Sequence, residues 1–226
     1  KTIGQICKEK DILLHVDATQ AVGKINFDLQ DINIDFLSFT AHKLYGPKGI
    51  GALYKNRKNR DIKLSQRIFG GTQENAVRPG TLNVPAIVGF GKAIEICDEE
   101  MTKDYQHTIT LRDRFHKNIV SNLEGVFING SIKERLPNNI NFYVVGIRAD
   151  KLMLELRDLA FSNSSACASG STKPSRILKA IGLTDEQALS SVRFGFGRFN
   201  TLDEIEYASK KIIDAILSCL NSYQTF

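Results

Sequence analysis

Lys43 follows an apolar run, Ile34 to Phe39, and precedes Gly46-Pro47-Lys48-Gly49 and a second apolar run, Ile50 to Tyr54. Runs of that length read as buried strands, so Lys43 sits where a strand ends in a connection shaped by glycine and proline. An amine held there, with His42 and Lys48 as positive neighbours, has the setting that makes a lysine nucleophilic and able to form a Schiff base. Asp17 ends another short run, Ile12 to Val16, with Ala18, Thr19 and Gln20 after it. Open α/β sheets carry their ligand groups at such strand ends. A strand-end lysine and a strand-end acid are the pair that a pyridoxal phosphate site uses, one to bind the cofactor and one to face its pyridinium nitrogen. A solvated lysine beside a turn is the competing reading of the same residue.

Cys167 is the third residue with chemistry in reach. Cys7, Cys97 and Cys219 fall in helical patterns and read as small buried side chains. Cys167 lies in Ser162 to Ser175, where seven of fourteen residues are Ser or Thr and Gly170 and Pro174 interrupt any period. Such a stretch is expected to be a mobile polar loop, and a reactive thiol needs that exposure. The cysteines contain no C-x-x-C pair and the four histidines no metal-ligand spacing, so neither a disulfide framework nor a metal site is expected.

The formal net charge is +5, but basic residues are dispersed except for Lys55, Arg57, Lys58, Arg60, Lys63 and Arg67. No aromatic residue interleaves there, so the run reads as a solvated loop and not as a nucleic-acid surface. No apolar run approaches the length needed to cross a bilayer, and Lys1 to Lys8 lacks the apolar centre of a secretory signal. The expected location is the cytoplasm or a mitochondrial matrix, with no membrane partner.

With 226 residues, 42% hydrophobic and 24% charged, the chain suits a globular protein with one large or two modest cores. A helix end over Thr2 to Lys10, a strand to Asp17 and a strand to Phe39 predict an α/β layer with a mostly parallel sheet. Asn83 and Pro85 start a helix whose apolar stripe is Ile87, Phe90 and Ile94. Leu111, Phe115, Ile119 and Leu123 mark a bridging helix over 101–124. A second domain, 125–226, is expected to hold strands at 126–128, 140–144 and 159–161, and a helix over 150–157. A short helix over 175–181 stopped by Gly182 and a capping box at Thr184 to Gln187 follow. Val192, Phe194 and Phe196 then alternate with Arg193, Gly195 and Gly197 in a strand. Thr201 and Glu204 cap a last helix whose buried stripe is Ile205, Ala208, Ile212 and Ile216.

Four stretches, in this order, resemble the NifS/IscS-type cysteine desulfurases: His15-Val16-Asp17-Ala18-Thr19-Gln20-Ala21-Val22-Gly23-Lys24, Ser38-Phe39-Thr40-Ala41-His42-Lys43-Leu44-Tyr45-Gly46-Pro47-Lys48-Gly49, Arg78-Pro79-Gly80-Thr81-Leu82 and Ser165-Ala166-Cys167-Ala168-Ser169. The likeness runs from about residue 1 to about residue 217. It implies the type I fold of pyridoxal phosphate-dependent transferases, with residues 1–100 as part of the large, mostly parallel-sheet domain and 125–226 as a smaller C-terminal α+β domain carrying the cysteine loop at 162–175. It also implies a role for each site residue. Lys43 becomes the Schiff-base lysine, Asp17 the pyridinium partner, Gln20 a contact to the cofactor's phenolate oxygen, and Thr40 and His42 phosphate contacts. Thr81 reaches the cofactor phosphate of the other subunit in a homodimer, Arg193 pairs with the substrate carboxylate, and Cys167 accepts sulfur as a persulfide. The implied reaction takes L-cysteine to L-alanine and delivers sulfur to an iron-sulfur scaffold or another acceptor protein.

The sequence departs from that pattern in places. Ser162-Asn163-Ser164 stands where the family commonly has Ser-Ser-Gly, and Thr40-Ala41 where Ser-Gly is usual. The family's N-terminal portion, with a phosphate-binding turn, a ring-stacking histidine and an asparagine near the substrate, has no counterpart here, so the chain reads as N-terminally truncated and, taken alone, poorly active. A selenocysteine lyase or another class-V aminotransferase-fold enzyme shares Lys43 and Asp17, and a non-catalytic interaction subunit is the reading from a different class.

Overall fold

The structure, a computed structural model, describes residues 1–57, 62–163 and 173–223. Backbone proximity divides the chain into two units, Lys1–Thr102 and Lys103–Phe226.

In the first unit, helix α1 (Thr2–Glu9) leads to strand β1 (His15–Asp17), strand β2 (Phe36–Thr40) and strand β3 (Gly51–Lys55). β1 and β2 run parallel, with Asp17 opposite Ser38, while β2 and β3 are antiparallel, with Thr40 opposite Gly51. The α/β class stands as expected, but this three-stranded sheet is mixed. The reason is the shortness of the connection: residues 41–50 are too few for a parallel crossover, so the chain turns back beside β2. Ile34, Leu37 and Ala18 pack beneath the sheet. Two buried polar side chains fasten its entry. Asp35 Oδ2 accepts the Leu14 N–H at 2.8 Å, and Asn56 Nδ2 donates to the Ile34 carbonyl at 3.2 Å.

Helix α2 (Val84–Asn122) starts as the Asn83-Pro85 signal predicts, with Asn83 Oδ1 accepting the Ala86 N–H at 3.3 Å. Its buried residues in the first unit are Ala86, Phe90, Ala93 and Cys97, whereas Ile87 and Ile94 are 37% and 41% exposed. Of the expected stripe Phe90 is buried, but Ile87 and Ile94 give way on the inner face to Ala86, Ala93 and Cys97, and size explains it. A Cβ on Gly46 would lie 3.0 Å from the Ala93 Cβ, and a Cβ on Gly89 3.2 Å from Pro47 Cγ. Close approach selects the small residues for the inner face and leaves the branched ones outside. The helix expected over 101–124 is the later part of this same element, since no proline or capping signal interrupts it.

The second unit is built on an antiparallel sheet, β4 (Val126–Ile128), β5 (Asn139–Val144) and β6 (Ser191–Gly195), in that order. Leu111, Phe115, Ile119 and Leu123 pack on Ile140, Phe142, Val144, Val192 and Phe194, with Ile205, Ile212 and Ile216 of α6 (Leu202–Tyr223) in the same core. Phe115 is its centre, with ring centroids 4.8 Å from Phe194 and 5.6 Å from Phe196. Helices α3 (Ala149–Glu155), α4 (Arg176–Ala180) and α5 (Asp185–Leu189) complete the unit. The Thr184–Gln187 capping box forms, as does the Thr201–Glu204 one. Residues 159–161, expected as a strand, are not one. Phe161 spends its ring on Phe194, stacked at 5.0 Å, and only Ser162 pairs its backbone, in an isolated bridge to Arg193.

Gly23 is the position where the first unit tolerates least. Its φ is +71°, and a Cβ there would collide with Cys97 Sγ and come 2.7 Å from Leu44 Cδ2. Gly23→Ala combines a left-handed penalty with overpacking and is expected to cost about 3 kcal/mol, to be measured by urea unfolding against the parent.

Candidate active site

Parallel pairing brings the ends of β1 and β2 to one edge of the sheet, where the Ala18 N–H donates to the Ser38 carbonyl at 2.9 Å. Asp17, Gln20, Thr40, His42 and Lys43 all lie at or just beyond that edge. Asp17 is exposed, and its Oδ1 accepts the Thr19 N–H at 3.0 Å. A second bond from the Thr19 side chain is the largest influence on its carboxyl. Together with the amide bond and the charge of His15 it holds the group below its ordinary value of 3.8. Gln20 is exposed in the turn that follows. His15, which was given no role from sequence, shares the Asp17 face of β1, and its Nε2 lies 3.1 Å from Ser38 Oγ. Period-two alternation from Asp17 is the signal that points to it.

The chain beyond β2 is fixed by one oxygen. The Ile50 carbonyl accepts both the Ala41 N–H and the Thr40 hydroxyl, each at 3.1 Å. A hydroxyl has a single proton, so the 2.9 Å bond between Thr40 Oγ1 and His42 Nδ1 must be donated by the ring. In its neutral form the imidazole then has its proton on Nδ1 and Nε2 as the acceptor. Lys43 follows on a 3-10 turn, Ala41–Leu44, whose Ala41 and Leu44 are buried while Lys43 is half-buried and His42 exposed. Tyr45, at φ +62°, closes the turn, and the Gly46 N–H donates to the Ala41 carbonyl at 2.9 Å.

The positive neighbour of Lys43 is Lys24, whose Nζ donates to the Lys43 carbonyl at 3.1 Å. His42 and Lys48 were the neighbours expected from sequence; Lys48 is exposed. Burial pushes the Lys24 ammonium below its ordinary value, with Cys97 opposing and the Lys43 charge adding to the shift. Lys24 was legible only as the last residue of the first motif.

Thr81 lies elsewhere in the first unit, in an exposed loop. Arg78 Nη1 donates to the Gly80 and Thr81 carbonyls at 3.0 and 3.2 Å, and Gln73 Oε1 accepts the Gly80 N–H at 3.1 Å. Glu74, Asn75 and Ala76 in the same loop are left-handed. Arg193 belongs to the second unit, half-buried on β6 opposite Asn141, with its backbone N–H donating to the Ser162 carbonyl at 2.6 Å. Cys167 and most of its loop lie outside the described residues. Among the described residues no cluster of acids, histidines and cysteines could hold a metal ion, and no helix is long and apolar enough to cross a membrane.

The profile of the family described as aminotransferase class-V matches residues 1–208. This chain belongs to that family. Among curated relatives of this class-V member, the cysteine desulfurase IscS of Vibrio campbellii is 48% identical over 214 residues, covering 95% of this chain and 52% of the relative. Cysteine desulfurase IscS of Aeromonas salmonicida matches to the same extent, 48% over 214 residues, with the same coverage. The class-V chain thus spans about half the length of the curated relatives it matches. Among solved structures, a NifS-like protein superposes with a TM-score of 0.83 at 34% identity, over 96% of this chain and 56% of that one. A NifS-like protein from Rickettsia africae gives a TM-score of 0.83 at 28% identity, over 97% and 57%. The NifS/IscS resemblance and the type I fold expected from the motifs are both borne out for this class-V chain.

Two measurements test the site's chemistry. A carboxyl held down by hydrogen bonds contributes stability above its unfolded value and loses it as pH falls through its folded value. Asp17 should therefore titrate below 3.8 by carbon-13 NMR, and Thr19→Val should move its midpoint back toward that value. Thr40→Val removes the acceptor for His42 Nδ1–H, so nitrogen-15 shifts of the ring should report a gain of the Nε2–H tautomer.

Proposed function

We propose that this chain provides the lysine, acid and sulfur-accepting cysteine of a pyridoxal phosphate-dependent cysteine desulfurase, converting L-cysteine to L-alanine. The observation that carries the reading is the pairing of β1 with β2, which sets an ionised Asp17 and the Lys43 turn at one sheet edge. That donor set suits the cofactor: an amine for its aldehyde, a carboxylate for its pyridinium nitrogen, and, for its phosphate, a Thr40 hydroxyl able to turn from the Ile50 carbonyl and a His42 imidazole able to carry a proton on Nε2. When bound, pyridoxal phosphate supplies an electron sink that weakens the substrate's Cβ–S bond.

The chain's own residues do the rest. Lys43 would hold the cofactor covalently, and its amine would move protons at the substrate's Cα. Asp17 keeps its negative charge throughout the neutral range and so favours a protonated pyridine nitrogen. Gln20 bonds the phenolate oxygen, and Thr40 and His42 contact the phosphate. Arg193 pairs with the substrate carboxylate through its planar fork. The Cys167 thiolate would attack the substrate sulfur, an S–S bond forming as the C–S bond breaks with its electron pair left to the carbon side, where Cβ takes a proton to complete alanine, and the persulfide would pass to an acceptor such as an iron-sulfur scaffold.

The same proposal includes the division into a cofactor-binding part, 1–100, a bridge, 101–124, and a small domain, 125–226. It includes a homodimer in which Thr81 reaches the partner's cofactor, and a location in the cytoplasm or a mitochondrial matrix.

The test is an absorbance spectrum with pyridoxal phosphate, before and after L-cysteine. The parent should show a visible band that shifts on cysteine addition, and Lys43→Ala should lack it. Cys167→Ala should keep the band but lose alanine release by about 100-fold or more. A band indifferent to Lys43 would refute the cofactor assignment, and undiminished turnover without Cys167 would favour a class-V enzyme of another activity.

A further inference from the structure

We propose that Lys24 is a positioning residue for Lys43, tying the arm that carries the acid to the turn that carries the amine. The inference rests on the assignment of Lys43 as the cofactor lysine.

A short 3-10 turn leaves its last carbonyls without partners inside it. The Ala41 carbonyl, at its start, takes the Tyr45 and Gly46 N–H groups, whereas the Lys43 carbonyl, near its end, takes Lys24 Nζ at 3.1 Å. Lys24 arrives there through a compact turn rooted at β1. Val22 N–H donates to the Ala18 carbonyl at 3.0 Å, and Lys24 N–H to the Ala21 carbonyl at 3.0 Å. Gly23, left-handed and without a Cβ, lets that turn press against Leu44 and Cys97. Only six residues therefore lie between Asp17 and a cation that grips the backbone of Lys43. A bond from a charged donor to a half-buried carbonyl shifts a local equilibrium on the order of tenfold.

The two amines also sense one another, since the Lys43 charge adds to the depression of Lys24 caused by burial. A lysine serving only solubility would keep its ammonium in water. This one is half-buried and aimed at a main-chain oxygen. The bond holds the backbone from which the Lys43 side chain departs, and it leaves that side chain's own nitrogen for the cofactor.

The test compares the parent chain with Lys24→Met, which keeps the length and loses the charge, and Lys24→Arg, which keeps a cationic donor. Amide hydrogen exchange without cofactor is read at Tyr45 and Gly46 and at helix α6. Lys24→Met should accelerate exchange at Tyr45 and Gly46 about tenfold and leave α6 unchanged, and Lys24→Arg should restore protection. Unchanged exchange at the turn, or equal acceleration in α6, would overturn the proposal. With pyridoxal phosphate added, Lys24→Met should form the Lys43-dependent band about tenfold more slowly than the parent and Lys24→Arg; equal rates would also overturn it. Should the parent form no band, this chain alone does not hold the cofactor, and exchange at the turn still decides whether Lys24 holds that turn.

Discussion

The parallel pairing of β1 with β2 is the constraint on which the first unit depends. Parallel neighbours end at the same edge, so a carboxylate closing one strand and an amine following the other become neighbours by topology before any side chain chooses a rotamer. The register places Asp17 opposite Ser38, two residues before Thr40. A shift by one residue would send His15 and Asp17 to the opposite face. The buried Asp35 and Asn56 hold the register where the strands begin, so the polar groups at the entry and the reactive groups at the exit belong to one arrangement.

The second unit solves a different problem. Its sheet presents Phe142 and Phe194 to Phe115, with Phe161 stacked against the same strand, so that aromatic rings fill the space between sheet and helices. Arg193 alternates with these buried positions along β6 and takes its place from them. The arginine's position is thus set by packing that makes no use of its charge.

Strand ends and caps were legible because their signals are local. The apolar run before Asp17, the run before Thr40, the Thr184–Gln187 box and the Thr201–Glu204 cap each depend on a few adjacent residues. What escaped depends on distant partners. Ile87 and Ile94 have the hydrophobicity of a buried stripe, but Gly46 and Pro47 demand small residues opposite them. Residues 159–161 have the composition of a strand, yet the neighbouring backbone meets only Ser162. Lys24 acts through a carbonyl nineteen residues away, and a carbonyl leaves no mark in side-chain pattern.

The Ile50 carbonyl, which receives both the Thr40 hydroxyl and the Ala41 N–H, makes the stretch from 40 to 50 a ring of fixed circumference. A long flexible loop absorbs an added residue at little cost, but a short ring stiffened by a 3-10 turn and a proline departs from that rule. An added residue there has to bulge out or break the staple, so the length of this stretch is more tightly constrained than its side chains.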